Sequence, residues 1–223
     1  MNVLKRIYGV LYKEFLTEFK NLSSASSVFL FVLTSVIIVS YSISTNKLTD
    51  EIFAGVTWVL IFFTSMIGQS RIFITEEERG TWLYLKINSN ATSIYFGKLI
   101  YNIIFGIAAN LTTVFLLILF NSTFGIENMG LYWLVIITGS IGISAGSTII
   151  SALISKASSK GALFPVLAFP LLLPVILLSI DATILSIVGA SFDRIYSDIG
   201  VIIAYSGAII TASYLLFDFI FRE

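Results

Sequence analysis

The sequence predicts an all-α polytopic membrane protein: six transmembrane helices preceded by an amphipathic interfacial helix. Two observations carry that prediction. First, 57% of the 223 residues are hydrophobic and only 12% are charged, an apolar share above that of ordinary soluble domains. Second, the few charges divide the chain into six uncharged runs, residues 21–46, 52–70, 99–126, 128–155, 161–180 and 199–217, each of 19 to 28 residues. About 20 helical residues cross a hydrocarbon core. The runs are continuously apolar, whereas barrel strands alternate and need only about 10 residues, so helices are favoured over a barrel. With no polar face to offer water, the runs are also unsuited to a soluble bundle.

The elements follow in order. In residues 1–22, Leu4, Ile7, Leu11, Phe15, Phe19 and Leu22 recur at helical spacing, with Lys5, Arg6, Lys13, Glu14 and Lys20 mostly on the opposite face. That pattern predicts a helix lying on a membrane surface rather than a cleavable leader. Spans are expected at about 26–45, 52–74, 96–120, 131–154, 162–180 and 199–220, with residues 75–93 forming a connecting region outside the membrane. The fourth span carries TGSIGISAGSTIISA, in which Gly142 and Gly146 form a G-x-x-x-G pair suited to close helix packing. All three prolines, Pro165, Pro170 and Pro174, fall in the fifth. Each removes a backbone donor, so this span is expected to be kinked or partly unwound, either as a hinge or as a tolerated kink. The connection Asp181 to Asp198 has enough Ile, Val and Phe for a short surface helix of its own. One membrane domain accounts for residues 1–223.

Lys and Arg set the orientation. Eleven lie on the side that holds both termini and the 2–3 and 4–5 connections, against two, Lys47 and Arg194, on the other. Both termini are therefore expected in the cytoplasm, together with the run Glu76, Glu77, Glu78, Arg79.

Composition narrows the chemistry. The chain has no histidine and no cysteine, which removes the commonest general base, thiol nucleophiles and the usual metal and haem ligands. No phosphate-cradling G-x-x-x-x-G-K-[ST] loop occurs, since Gly97-Lys98 runs into Leu99. The six runs hold no ionisable residue of the kind that marks an ion pathway or proton relay. Catalytic, metal and cofactor sites are accordingly expected to be absent, as is nucleic-acid binding, and the energy for any transport is expected to come from another chain.

The segment that answers this expectation is EEERGTW, Glu76 to Trp82. Acidic residues, a glycine turn and an immediate return to apolar residues suit a short helix that docks on a partner, with Glu76, Glu77, Glu78, Arg79, Gly80, Thr81 and Trp82 as the docking residues. EEERGTW resembles the segment after the second span in type-2 ABC exporter permeases, where an acidic run and Gly-Thr or Gly-Ser lead into the helix that contacts a separate ATPase.

The resemblance extends along the chain. EIFAGVTWVLIFFTSMIGQSRIF, residues 51–73, and PVLAFPLLLPVILLSI, residues 165–180, resemble two blocks of the CcmB family, haem exporter protein B, the membrane subunit of the cytochrome c maturation ABC complex. Leu83 stands where that family commonly has an acidic residue, and Ser70 where relatives often have Glu. The resemblance implies an ABC-2-type permease in a bacterial inner membrane, or a mitochondrial one if the source is organellar. It further implies a pair of such chains with ATP bound on CcmA-like ATPase subunits, beside a CcmC-like haem-handling membrane protein and a CcmE-like haem chaperone. Haem is then the transported or handled ligand. The chain either conducts haem or transmits ATP-driven motion that frees the loaded chaperone, and the absence of His and Cys favours transmission. An ABC-2 permease for another lipophilic substrate, a drug, lipid or glycan, is the alternative.

Overall fold

The computed structural model describes residues 3–20, 22–43, 49–121, 125–155, 157 and 160–222. Among them are nine helices and no strand: α1 (Val3–Lys20), α2 (Ser23–Ile43), α3 (Asp50–Gln69), α4 (Ile74–Glu78), α5 (Trp82–Asn88), α6 (Ala91–Phe120), α7 (Met129–Ile154), α8 (Lys160–Ile187) and α9 (Phe192–Arg222). Six of these regions, built on α2, α3, α6, α7, α8 and α9, are long and apolar enough to cross a membrane. Lys47 and Lys156 of the basic census, and residues 122–124 of the 3–4 connection, lie outside the described residues.

The bundle is organised around α7, which packs on α8, α9, α6 and α3. It can do so because its faces are small: Gly139, Ser140, Gly142, Ser144, Ala145, Gly146 and Ser147 are all buried, and small residues let helix backbones approach. Larger side chains fill the space from the neighbours, with Trp58 of α3 and Leu172 and Val175 of α8 fully buried. At the periphery α2 presents Val28, Val32 and Val36 to Leu60 of α3 and Leu117 of α6. Helix starts follow local chemistry. The Asn90 side chain accepts from Ser93 N at 3.3 Å to cap α6, and Asn128 accepts from Leu131 N at 3.2 Å to cap α7, each satisfying an orphan donor.

Buried polar side chains cross-link the spans. Gln69 Nε2 donates to Ser144 Oγ at 2.9 Å, Asn102 Nδ2 to Thr148 Oγ1 at 2.9 Å, Asn110 Nδ2 to Ser140 Oγ at 3.0 Å and Trp58 Nε1 to Thr183 Oγ1 at 2.8 Å. Such neutral bonds hold helices together where lipid supplies no hydrophobic drive.

Two expectations are corrected. Of the two forms expected for the fifth span, kinked or partly unwound, the second does not occur: α8 stays helical through Pro165, Pro170 and Pro174. Its buried stripe of Phe164, Ala168, Leu172 and Val175 keeps helical spacing throughout, and packing on that stripe outweighs the lost donors. Residues 181–198 form no separate helix. Instead α8 continues to Ile187 and α9 begins at Phe192, because Ala182, Thr183, Ser186 and Ile187 remain buried on one side and Ile195, Ile199 and Ile202 on the other. The turn between them uses Gly189 at φ +68° and is tied to the start of α7 by Glu127 N donating to Ile187 O and Asn128 N to Ser186 O.

Candidate functional site

The end of the bundle that carries α4 and α5 is assembled from a turn, two short helices and α1. Beyond Gln69 the chain leaves α3 through residues 70–73, and Ser151 of α7 fastens this turn twice. Its hydroxyl donates to Ser70 O at 2.6 Å and accepts from Phe73 N at 3.2 Å. The five residues of α4 follow, and the way they end explains the glycine. Gly80 N donates to Glu77 O at 3.2 Å and Thr81 N to Glu76 O at 3.0 Å, the paired bonds of a Schellman C-cap. That cap needs a left-handed residue, and Gly80 supplies φ +66° at no steric cost. α5 then starts in a new direction.

The acidic run divides at this cap. Glu76 is buried, 5% exposed, while Glu77 is half-buried and Glu78 and Arg79 are exposed. Glu78 reaches Arg71 at 3.8 Å in an exposed pair that contributes little to stability. The Glu76 carboxylate bonds Lys13 of α1, accepts from the Thr81 hydroxyl and lies 3.3 Å from Lys98 of α6. Trp82 likewise turns inward. Its ring meets Phe73 at 6.3 Å, Phe217 at 6.5 Å and Phe221 at 6.2 Å, all edge-on, and the Lys86 ammonium lies 5.7 Å from its centroid. The sequence reading offered Glu76 and Trp82 to a partner; the fold uses both to fasten the element to the spans. The apolar residues that α5 leaves exposed are Leu83 at 67%, Tyr84 at 71% and Ile87 at 76%.

Behind Glu76 lies a charged cluster that spacing alone did not reveal. Lys98 is fully buried, and its ammonium donates to Glu14 Oε1 at 2.7 Å, to Ile72 O at 2.7 Å and to Glu76 Oε1 at 3.3 Å. It also sits 5.0 Å from the Phe73 ring centroid. Lys13 Nζ donates to Glu14 Oε1 at 3.1 Å. Two cations and two carboxylates thus close a neutral set at the meeting point of α1, α4 and α6. Burial alone would push the Glu14 carboxyl up, but Lys98 and Lys13 outweigh it and hold the group below its ordinary value. Lys13 is lowered to about 8, first by burial and then by the nearby Lys98 charge. A cleft of about 390 Å³ opens beside the cluster, lined by Lys13, Glu14, Glu18, Arg71, Glu76 and Arg79 among others.

Glu14 was expected on the polar face of α1. In the fold that helix turns Val10 and Glu14 inward and Leu4, Tyr8, Tyr12 and Phe19 outward, so the carboxylate lies on the bundle-facing side. The available signal was its place seven residues after Ile7 and four after Val10, on one helical stripe, together with a lysine at the very start of an uncharged run.

The other expected residues are distributed elsewhere. Gly142 and Gly146 lie within the bundle: a Cβ at Gly142 would stand 2.8 Å from Ser206 Oγ of α9 and 3.0 Å from Val175 Cγ1 of α8, and one at Gly146 would press on Leu172. Pro165 and Pro170 are exposed on α8 and Pro174 is half-buried. Pro165 borders a groove with Phe63, Met66 and Phe164, which Arg71 and Glu78 also line. Among the described residues there is no group of three or more Asp or Glu placed to hold a metal ion.

A family profile described as CcmB protein matches residues 5–221, from α1 to the end of α9. The chain belongs to the CcmB family. No curated protein matches it closely enough to add to that assignment. As a CcmB protein it is the membrane subunit of a haem-exporting ABC system in cytochrome c maturation, a transporter component that works with an ATPase partner. The six apolar helices make it a multi-pass membrane protein.

Proposed function

We propose that this CcmB protein transmits ATP-driven motion from a CcmA-like ATPase, docked at α5, through the membrane to free a haem-loaded CcmE-like chaperone held with a CcmC-like partner on the far side. ATP hydrolysis belongs to the ATPase chain. Haem is handled by the assembly, and this subunit holds no cofactor of its own. Two copies work with two ATPase subunits in a bacterial inner membrane, or a mitochondrial one, with both termini and the α4–α5 end in the cytoplasm.

The observation that carries this reading is the arrangement of α5. Leu83, Tyr84 and Ile87 stand exposed on a short helix whose opposite face is fastened by Trp82 and Leu85. Glu78 and Arg79, at the end of α4 that leads into this helix, are exposed as well. A few exposed apolar anchors on a fixed element are what a docking surface needs. Eleven of the thirteen Lys and Arg fall on the same side of the sequence-derived topology. Conduction of haem is less supported, because the span interiors offer hydroxyls and amides and the chain contains no His or Cys.

Coexpression with the ATPase tests the proposal. Tyr84→Ala and the double change Leu83→Ser/Ile87→Ser should each lower ATPase recovered by pull-down about thirtyfold, as loss of a hot spot of about 2 kcal/mol does. Membrane abundance should be unchanged and c-type cytochrome yield should fall with recovery. A cytoplasmic reporter inserted near Asn88 should be active and one near Glu127 silent. Undiminished recovery in both variants, or the reverse reporter pattern, refutes the reading.

A further inference from the structure

We infer that Lys98 is a clasp that makes α1, the α4–α5 element and the start of α6 move as one body, so that a push on α5 is delivered to α1. This rests on the docking reading above for the source of the push, and on the charged cluster for its route.

The three hydrogens of the Lys98 ammonium are each taken by a different piece of chain: Glu14 of α1, the Ile72 carbonyl in the turn after α3, and Glu76 of α4. An ammonium has three donors and no acceptor, so the site is full. The Lys98 side chain itself is 0% exposed, while its carboxylate partners border the cleft. If any one of the three elements shifts alone, the buried ammonium loses one of its three partners. An intact buried pair adds little net stability against an apolar substitute, whereas breaking one is costly, and the best-attested use of such pairs is to fix register. The cluster is therefore better suited to locking relative position than to holding the fold together.

Neighbouring contacts extend the lock in both directions. Toward α5, the Thr81 hydroxyl donates to the Glu76 carboxylate and Thr81 N to Glu76 O, so the residue that precedes α5 is tied to the same acid. Toward α1, Gly97 brings α6 so close that a Cβ there would stand 2.7 Å from Val10 Cβ. Phe15 meets Tyr101 edge-on at 5.2 Å one turn away. The interfacial helix is thus seated on α6 rather than merely resting on lipid, and the charge cluster is the point where its seat meets the docking element. Lys98 acts through these contacts as a positioning residue.

The test measures relative motion in the assembled complex. The chain has no cysteine, so Tyr12→Cys and Asn88→Cys give one spin label on α1 and one at the end of α5. Labelled chain is diluted with unlabelled copies, assembled with a cysteine-free ATPase, and the label distance is read without nucleotide and with ATP and vanadate. The parent should show one narrow distance in both states. The double variant Lys98→Met/Glu14→Gln removes one charge of each sign and leaves Glu76 with Lys13, so the fold has no new unpaired charge. It should recover the ATPase undiminished, show a distance that broadens or splits with nucleotide, and lower cytochrome yield about tenfold, the scale of a lost coupling. A double variant with a narrow, nucleotide-independent distance overturns the clasp, as does a parent whose α1–α5 distance changes with nucleotide. A broadened distance with full cytochrome yield overturns delivery through α1. If the parent recovers no ATPase, the docking reading fails, and the clasp is judged on the nucleotide-free distance: narrow in the parent and broad in the double variant supports it, narrow in both overturns it.

Discussion

The Glu76 carboxylate lies 3.3 Å from the fully buried Lys98 ammonium, so three adjacent glutamates do unlike work. Glu76→Gln should lower thermal stability in detergent by about 1–3 kcal/mol, the cost of leaving buried charged partners short of a bond. Glu78→Gln, at an exposed pair 3.8 Å from Arg71, should stay within about 0.5 kcal/mol of the parent. Equal effects at the two positions would mean that the inward turn of Glu76 carries no energetic weight.

The same cluster predicts a dependence on pH. Glu14 is held below its ordinary value of 4.5 because Lys98 and Lys13 outweigh the effect of burial. Its folded state binds protons less readily than the unfolded chain, so its contribution is complete above that value and is lost below it, as the pH falls through the lowered folded-state value. Lys13 has the same sign in a higher pH window, there because its charged form is penalised. Burial and Lys98 lower it to about 8 from 10.5, so stability from this partly exposed group rises between those values. Melting temperature should therefore hold from neutral pH down toward 4.5 and then drop, and Glu14→Gln should be lower at pH 7 and flatter in acid. An acid limb as steep in Glu14→Gln as in the parent would place the titrating group elsewhere.

Trp82 separates stability from docking. It is edge-on to Phe73, Phe217 and Phe221, and it is half-buried, so Trp82→Ala should cost somewhat less than the about 3–5 kcal/mol of a fully buried aromatic. Ile87→Ser, at a side chain 76% exposed, should leave the melting temperature near the parent's. Thermal scans of the two purified variants decide it; if Ile87→Ser melts as early as Trp82→Ala, the two faces of α5 are not the ones described.

Six spans and the glycine-rich packing face were legible because both depend on local composition: uncharged length for the spans, small residues at helical spacing for α7. The glycine after the acidic run was legible as a turn, and Gly80 at φ +66° makes it; that the acids themselves form a helix capped there was not foreseen. Which of Glu76, Glu77 and Glu78 points inward was not legible, since the answer is set by Lys13 and Lys98, 63 and 22 residues away along the chain. Glu14 was misassigned for a related reason. A helix on a membrane surface has two faces, but one packed on a bundle has three, and its bundle-facing side can be polar when a buried lysine meets it. The 5–6 connection was misread because Asp181 and Asp198 were taken as helix boundaries, whereas an acid that is exposed, as Asp181 is, or half-buried, as Asp198 is, can ride within a longer helix.

The α7 glycines face other helices of the same chain. A Cβ at Gly142 would stand 2.8 Å from Ser206 Oγ and 3.0 Å from Val175 Cγ1, while one at Gly207 of α9 would meet nothing within 4 Å. Both are helical glycines, so both gain intrinsic helix propensity as alanine, up to about 1 kcal/mol. Only Gly142→Ala must also displace packed neighbours, an overpacking cost of about 1–3 kcal/mol. Gly142→Ala should therefore be the less stable of the two, and Gly207→Ala equal to or above the parent, in thermal unfolding of purified protein. The neighbours at Gly142 belong to α8 and α9 of the same chain, so the deficit should not depend on protein concentration. A deficit that disappears on concentrating the protein would instead place this face between two copies, where mass action would offset the strain.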